Sequence, residues 1–85
     1  MKIFPTSAFK KSFKKLPKEI QKSAIGKDKL FRSDPYSPQI KTHKLKGKLS
    51  KFWSYSVSYE YRIVFEFINQ QTVIYHDIGT HKVYK

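Results

Sequence analysis

The stretch Trp53-Ser54-Tyr55-Ser56-Val57-Ser58-Tyr59 alternates strictly between large apolar and small polar side chains. Successive side chains of a β-strand point to opposite faces of a sheet, so this stretch predicts a strand with an aromatic face and a serine face. The next stretch, Tyr61-Arg62-Ile63-Val64-Phe65-Glu66-Phe67, keeps the period of two. We therefore expect a sheet with one face against the core, while Ser54, Ser56, Ser58 and Arg62 form a shallow concave surface open to a ligand.

The C-terminal third of the chain continues this sheet. Asn69-Gln70-Gln71 predicts a hairpin turn, and residues 72–78 form the returning strand, which ends at Gly79. Short connections imply antiparallel neighbours. From residue 42 onward the sequence thus predicts three or four consecutive antiparallel strands.

The first 40 residues have a different pattern. Residues 2–4 read as a short strand stopped by Pro5, because proline is confined to the starts and edges of strands. Beyond the capping residues Thr6 and Ser7, apolar side chains recur at helical spacing, namely Phe9, Phe13, Leu16, Ile20 and Ala24. Pro17 fits only the first turn of a helix and divides this stripe into two helices, residues 7–15 and 17–32.

These elements define an α+β fold class. An N-terminal strand and a helical hairpin would pack on one face of a small, antiparallel-rich twisted sheet. The length of 85 residues suits a single domain over residues 1–85.

The charge of the chain is strongly positive and unevenly distributed. The net charge is +12, from 18 Lys and Arg against 6 Asp and Glu. Residues 1–51 carry 15 basic and three acidic side chains, whereas residues 52–85 carry three of each. Such an excess predicts an anionic partner: nucleic acid, an acidic protein segment or an anionic membrane surface.

The absence of cysteine excludes disulfides, thiolate metal sites and a cysteine nucleophile. It suits a reducing compartment. No apolar stretch is long enough for a membrane span or a signal peptide, so we expect a cytoplasmic protein without a membrane partner.

Arg62 interrupts the most apolar segment of the chain, where a charged side chain is costly unless it faces water or an anion. A solvent-facing position explains such an arginine. The functional alternative is that its planar guanidinium holds a phosphate in a two-pronged contact.

His43 and His81 both lie at strand ends or in loops, where reactive groups tend to be placed. Cleavage of RNA without a metal needs a base for the 2′-hydroxyl, an acid for the leaving 5′-oxygen, and cations for the charged phosphorane. Two histidines, Arg62 and neighbouring lysines could supply these groups.

Other candidate residues have simpler interpretations. Alternation places His76 beside Ile74 and Ile78, with Asp77 on the other side of the strand, which favours a structural role for His76. No histidine pair has metal-binding spacing on a helix and the chain lacks a glycine-rich phosphate loop, so we expect no metal and no cofactor. Tyr84 could stack on a base, donate a proton or dock the C-terminus.

Linked motifs in the second half of the chain resemble the RelE/ParE superfamily of bacterial and archaeal toxins over roughly residues 42–84. They are His43-Lys44-Leu45-Lys46-Gly47, Leu49, Trp53-Ser54, Val57, Tyr61-Arg62-Ile63-Val64-Phe65, and Asp77-Ile78-Gly79-Thr80-His81 with Val83-Tyr84. The resemblance implies a RelE-like fold and the toxin of a type II toxin-antitoxin pair. It is most similar to the RelE, YoeB and YafQ branches, whose members cleave messenger RNA, in many cases in the ribosomal A site.

The resemblance also implies roles for individual residues. Arg62 matches the arginine on the scissile phosphate, His81 the general acid, and His43 a candidate base, although a lysine or solvent is an alternative base. Lys44 and Lys46 match positions that hold the RNA backbone, and we extend this expectation to the neighbouring lysines, Lys48, Lys51 and Lys82. Tyr84 approximates a C-terminal aromatic, one residue out of register because only Lys82 separates His81 from Val83.

The expected function is therefore a metal-independent endoribonuclease that acts on mRNA at the ribosome and is neutralised by a cognate antitoxin. One alternative is a non-catalytic inhibitor of DNA gyrase of the ParE kind, although His43 and His81 argue against it because a binding inhibitor needs no acid-base residues. Another is an inactive RNA- or ribosome-binding module, which the shortened C-terminal spacing keeps open.

Overall fold

The computed structural model describes the backbone of residues 1–84 and the side chains of residues 1–83. Its elements in chain order are β1 (Lys2–Pro5), α1 (Ser7–Lys14), α2 (Lys18–Ser33), β2 (His43–Lys44), β3 (Trp53–Ser56), β4 (Arg62–Asn69) and β5 (Thr72–Gly79). Two short 3₁₀ turns complete them, the β2–β3 turn (Gly47–Leu49) and the C-terminal turn (His81–Tyr84). No helix in this part of the chain is long and apolar enough to cross a membrane.

The sheet has the strand order β1-β5-β4-β3-β2. From β2 to β5, each strand pairs antiparallel with the next one along the chain, as predicted. β1 pairs in parallel with β5. The strand that begins with Arg62 is central. The predicted α+β class, with an N-terminal strand, a helical hairpin and an antiparallel-rich sheet, is confirmed.

The helical hairpin forms within one residue of the predicted bounds, and side chains close its two ends. The Thr6 hydroxyl oxygen accepts from the backbone N–H of Phe9 at 3.0 Å and donates to the carbonyl of His76 at 2.9 Å. Between the helices, the Gln21 amide donates to the carbonyls of Phe13 and Leu16 at 3.0 and 3.2 Å. The first contact ties α1 to β5, and the second adds a side-chain donor to backbone carbonyls where α1 joins α2.

The core lies between this hairpin and one face of the sheet. Phe31 of α2 is fully buried, with ring centroids 4.8 Å from both Tyr55 and Phe65. Each such aromatic pair contributes about 0.5–1.5 kcal/mol beyond its buried area. The other core side chains are Ala24, Ile40, Val57, Ile63, Val73, Tyr75 and Ile78.

A chain of polar contacts crosses this core from the sheet to α2. The hydroxyls of Tyr55 and Tyr75 lie 2.8 Å apart, and the Tyr75 hydroxyl donates to Asp28 Oδ1 at 2.7 Å. Asp28 Oδ2 in turn accepts from Arg32 Nε at 2.9 Å. Burial raises the pKa of both phenols above the ordinary tyrosine value. We call these four residues the tyrosine network.

Alternation fails at two places. The strand predicted to run to Tyr59 ends at Ser56, and Tyr59 lies in the β3–β4 connection with 95% of its surface exposed, so its predicted place on the aromatic face is wrong. In β5, the register against β4 shifts between Tyr75 and Asp77. This bulge puts Asp77 opposite Val64 on the same open face as His76, and turns Ile78 into the core.

Candidate active site

A cleft of about 570 Å³ opens at the end of the sheet where β3 ends, β4 begins and β5 ends. Its walls come from the β3–β4 connection, the start of the C-terminal turn, the segment before β2, and α2. The lining residues are Lys27, Gln39, Lys41, residues 56–60, Arg62, Thr80 and His81. The cleft brings together two of the catalytic residues that the sequence predicts, Arg62 and His81.

Arg62 is the first residue of the central strand β4, paired with Ser56 of β3 and Gly79 of β5. Its Nη1 atom donates to the Ser56 hydroxyl at 2.6 Å. Among the described residues, no carboxylate lies within ion-pair distance of it. The remaining guanidinium donors are therefore available to an anion in the cleft, and a planar fork of this kind binds phosphate in two-pronged fashion.

His81 reaches the cleft because the chain turns tightly after β5. The backbone N–H of Val83 donates to the Thr80 carbonyl at 3.0 Å, which closes the C-terminal turn. A Cβ atom on Gly79 would lie 2.8 Å from Val83 Cγ1. Glycine at this position thus permits the close packing of the turn on β5 and holds His81 in the cleft wall.

His43 shares the open face with Arg62 but does not line the cleft. It pairs with Ser54, which pairs with Val64, two residues along β4 from Arg62. With strands about 4.8 Å apart, His43 lies roughly 10 Å across the sheet from β4. Its Nδ1 atom is 3.0 Å from the Lys41 carbonyl. Its role as a base stays a prediction, and it requires a substrate that extends along the face.

None of the five lysines predicted to bind RNA lines the cleft. Lys44 pairs with Trp53, which packs against the core on the helix-covered side of the sheet. Lys44 therefore lies on the opposite face from His43. Lys46, Lys48 and Lys51 are exposed around the β2–β3 turn, and Lys82 is exposed beside His81. The side chain of Tyr84, the fourth predicted catalytic residue, lies outside the described residues.

The prediction that Ser54 lies on an open surface is wrong, because Ser54 is fully buried. Ser56 and Ser58 do line the cleft. The predicted concave surface therefore exists only at the Arg62 end of the open face.

The other end of the open face is closed by side-chain contacts. His76 Nε2 lies 2.9 Å from Glu66 Oε1, and the Phe52 ring meets the His76 ring edge-on at 4.8 Å. Lys51 Nζ lies 5.2 Å from the centre of the Phe52 ring. These contacts give His76 the structural role that its mid-strand position predicts.

Sequence reasoning missed four charged or aromatic residues of the cleft: Lys27, Lys41, Tyr59 and Glu60. Glu60 had a signal, because it precedes Arg62 by two residues, the spacing that shares a face. Lys41 has a positive φ of 53°, the only such value for a non-glycine residue in the described chain. Lys27 reaches the cleft only because of how α2 packs, which no local pattern reports.

Comparison of sequences does not identify relatives, since no protein-family model and no curated protein matches this chain. Comparison of structures shows a likeness of fold. The fold superimposes on a YoeB/ParE toxin from Agrobacterium tumefaciens with a TM-score of 0.79 and 18% identity, covering 95% of this chain and 99% of that one. It therefore has the fold of the RelE/ParE toxin superfamily.

Two further solved structures support this conclusion. YafQ from Escherichia coli has a TM-score of 0.79 at 15% identity, over 96% of this chain and 94% of that chain. The toxin-antitoxin complex RelBE2 from Mycobacterium tuberculosis has a TM-score of 0.71 at 17% identity, over 94% and 96%. The similarity covers nearly the whole of each chain.

Proposed function

We propose that this protein is the toxin of a type II toxin-antitoxin system and an endoribonuclease that cleaves mRNA, in the A site of the ribosome, and so stops translation in the cytoplasm. The observation that carries the proposal is the cleft in which Arg62, without a carboxylate partner among the described residues, and His81 lie together. The likeness to YoeB/ParE, YafQ and RelBE2 structures supports it.

The chemistry requires no nucleophile from the protein. A base removes the proton from the ribose 2′-hydroxyl, and the oxygen attacks the adjacent phosphorus. Arg62 stabilises the negative charge that develops on the phosphorane oxygens. His81, in its protonated form, gives a proton to the 5′-oxygen as the P–O bond breaks. The products are a 2′,3′-cyclic phosphate and a 5′-hydroxyl.

Two groups compete for the role of base. His43 is the residue that the family resemblance implies, and it lies on the same face outside the cleft wall. Glu60 lines the cleft itself together with Arg62 and His81. Cleavage rates of His43→Gln and Glu60→Gln as a function of pH identify the base, because loss of the base removes the acidic limb of the pH-rate profile.

A cognate antitoxin would neutralise the toxin. The charge of +12 and the open cleft favour a flexible acidic segment that covers Arg62. Such a complex should weaken with salt, since the Debye length falls from about 10 Å at 0.1 M to about 3 Å at 1 M. Co-purification with the neighbouring gene product at low and high ionic strength measures this.

The deciding experiment is primer extension on a defined mRNA in a purified translation reaction, with and without ribosomes. Arg62→Ala and His81→Ala should each lower cleavage by a factor of about 100, the usual loss for one charge-stabilising or acid-base group. His76→Gln and Arg32→Lys are matched controls outside the cleft. Ribosome-dependent cuts in phase with codons support the proposal.

Absence of cuts with the wild-type protein would contradict the nuclease proposal. A DNA supercoiling assay with gyrase then tests the ParE-like alternative. Ribosome binding without cleavage would indicate an inactive binding module.

A further inference from the structure

Two cations of the cleft have no place in the chemistry above. Lys27 comes from α2 and Lys41 from the segment before β2, yet both line the same cavity as Arg62. We propose that Lys27 and Lys41 form a second phosphate subsite, so that the cleft holds single-stranded RNA by a flanking phosphate as well as by the scissile one. This inference rests on the proposed function, because it assigns the scissile phosphate to Arg62.

The backbone of Lys41 is fixed by contacts on both sides of it. The residue before it, Ile40, is fully buried, and its carbonyl accepts from the backbone N–H of Ser56 at 2.7 Å. The carbonyl of Lys41 is bound by His43 Nδ1 at 3.0 Å. Between these anchors its backbone adopts a φ of 53°, a conformation unfavourable for a residue with a side chain. Such strain is concentrated at functional positions.

The size of the cleft exceeds the needs of one phosphate. Its volume of about 570 Å³ lies within the range of roughly 300–1,000 Å³ that holds a whole small organic ligand. The charged groups that face it are Lys27, Lys41 and Arg62 on the positive side and Glu60 on the negative side, with His81 as a titratable neighbour. This balance favours a ligand with more than one phosphate charge.

An exposed aromatic ring at the same site favours nucleic acid over an acidic peptide. Tyr59 is 95% exposed and lines the cleft. Aromatic side chains beside a basic groove are the usual platforms on which single-stranded bases stack. An acidic peptide would use the lysines without needing this ring.

The test measures binding separately from cleavage. A fluorescent RNA hexamer with 2′-O-methyl groups cannot be cut, because it lacks the attacking hydroxyl. Its affinity is measured by anisotropy over a range of salt concentrations. For single strands, the slope of log K against log salt changes by about 0.7 for each phosphate contact.

We expect the double variant Lys27→Gln/Lys41→Gln to lower this slope by about 0.7 for the hexamer, the value for one flanking phosphate, and the control Lys29→Gln/Lys14→Gln to leave it unchanged. With a 2′-O-methyl dinucleotide, which has one phosphate, the double variant should bind like the wild type. Tyr59→Ala should weaken hexamer binding at all salt concentrations and leave the slope unchanged. Circular dichroism shows whether each variant is folded.

An unchanged hexamer slope in the folded double variant would overturn the subsite, and if the wild type still cleaves mRNA the proposed function stands. A reduced slope with no cleavage by the wild type would support the subsite and contradict the nuclease. Wild-type binding to polyglutamate but not to the hexamer would also overturn the inference and assign the two lysines to an acidic protein partner.

Discussion

The helix-covered face of the sheet and the Arg62 end of its open face differ in how their polar groups are paired. On the helix-covered face, the tyrosine network gives each buried hydroxyl an internal partner, ending at the Asp28–Arg32 pair. On the open face, Arg62 has a serine hydroxyl and, within the described chain, no carboxylate. Satisfied groups stabilise the fold, whereas a cation left without a counter-ion in a cleft is available to a ligand. Substitutions on the two faces should therefore affect different quantities.

The largest expected effect is on activity alone. Arg62→Ala should lower the rate of mRNA cleavage about 100-fold, equivalent to about 2.7 kcal/mol of transition-state stabilisation. Its thermal unfolding should change little, because the side chain is only partly buried and its hydrogen-bond partner, Ser56, also lines the open cleft. Paired measurements of cleavage rate and melting temperature check this. A loss of stability comparable to the loss of activity would contradict the contrast between the faces.

On the covered face, we expect a substitution to lower stability and leave cleavage unchanged. Tyr75→Phe removes a hydroxyl that donates to the Asp28 carboxylate at 2.7 Å. Hydrogen bonds to charged groups contribute about 1.5–3 kcal/mol, so the variant should lose about 2 kcal/mol of unfolding free energy. Cleavage at a temperature where the variant is folded should be unchanged. Urea denaturation measures the first quantity, and primer extension the second.

The covered face follows from local sequence patterns more fully than the cleft does. The period of two from Trp53 to Phe67 and the helical spacing from Phe9 to Ala24 depend on neighbouring residues, so they predict the sheet, the hairpin and which faces meet. The parallel pairing of β1 with β5 joins segments some 70 residues apart. No local pattern encodes it.

The cleft was predictable only where hairpin geometry links its residues. Arg62 lies seven residues before the Asn69-Gln70-Gln71 turn and Gly79 eight residues after it, so a hairpin brings the start of β4 beside the end of β5 and His81 close to Arg62. The bulge at His76 and the shortened β3 depend on packing, and so does the approach of Lys27. These were the features that sequence reasoning missed.

The pH dependence of the unfolding free energy tests the buried phenol of the covered face. Burial raises the pKa of Tyr75 above the unfolded value of about 10. The stabilisation from its neutral form is fully present below pH 10 and is lost as pH rises from there toward the folded pKa. At pH 11 the wild type should lose about 1.4 kcal/mol more than Tyr75→Phe through this phenol. Urea denaturation at pH 8, 10 and 11 checks this, and parallel pH curves for the two proteins would contradict it.

Gly79→Ala tests whether the C-terminal turn positions His81 in the cleft. The added methyl group would lie 2.8 Å from Val83 Cγ1, closer than real contacts allow, so either the Val83 side chain or the C-terminal turn must shift, and a shift of the turn would displace His81. We expect cleavage to fall about 10-fold, since a small displacement of a catalytic group costs this much or more. Binding of uncleavable RNA should persist through Arg62. Loss of RNA binding together with cleavage would indicate that the substitution disrupts the cleft as a whole.

The smallest effect has the opposite sign. Gly26 is exposed within α2, and a Cβ atom there would meet nothing within 4 Å. Alanine in a helix interior is favoured over glycine by about 0.5–1 kcal/mol, because glycine loses more backbone entropy on folding. Gly26→Ala should therefore raise the unfolding free energy by about that amount and leave cleavage unchanged. Lys27 follows Gly26 directly in α2. An altered salt dependence of RNA binding in this variant would therefore show that the position of Lys27 in the cleft depends on the backbone flexibility of Gly26 and not on the packing of α2 alone.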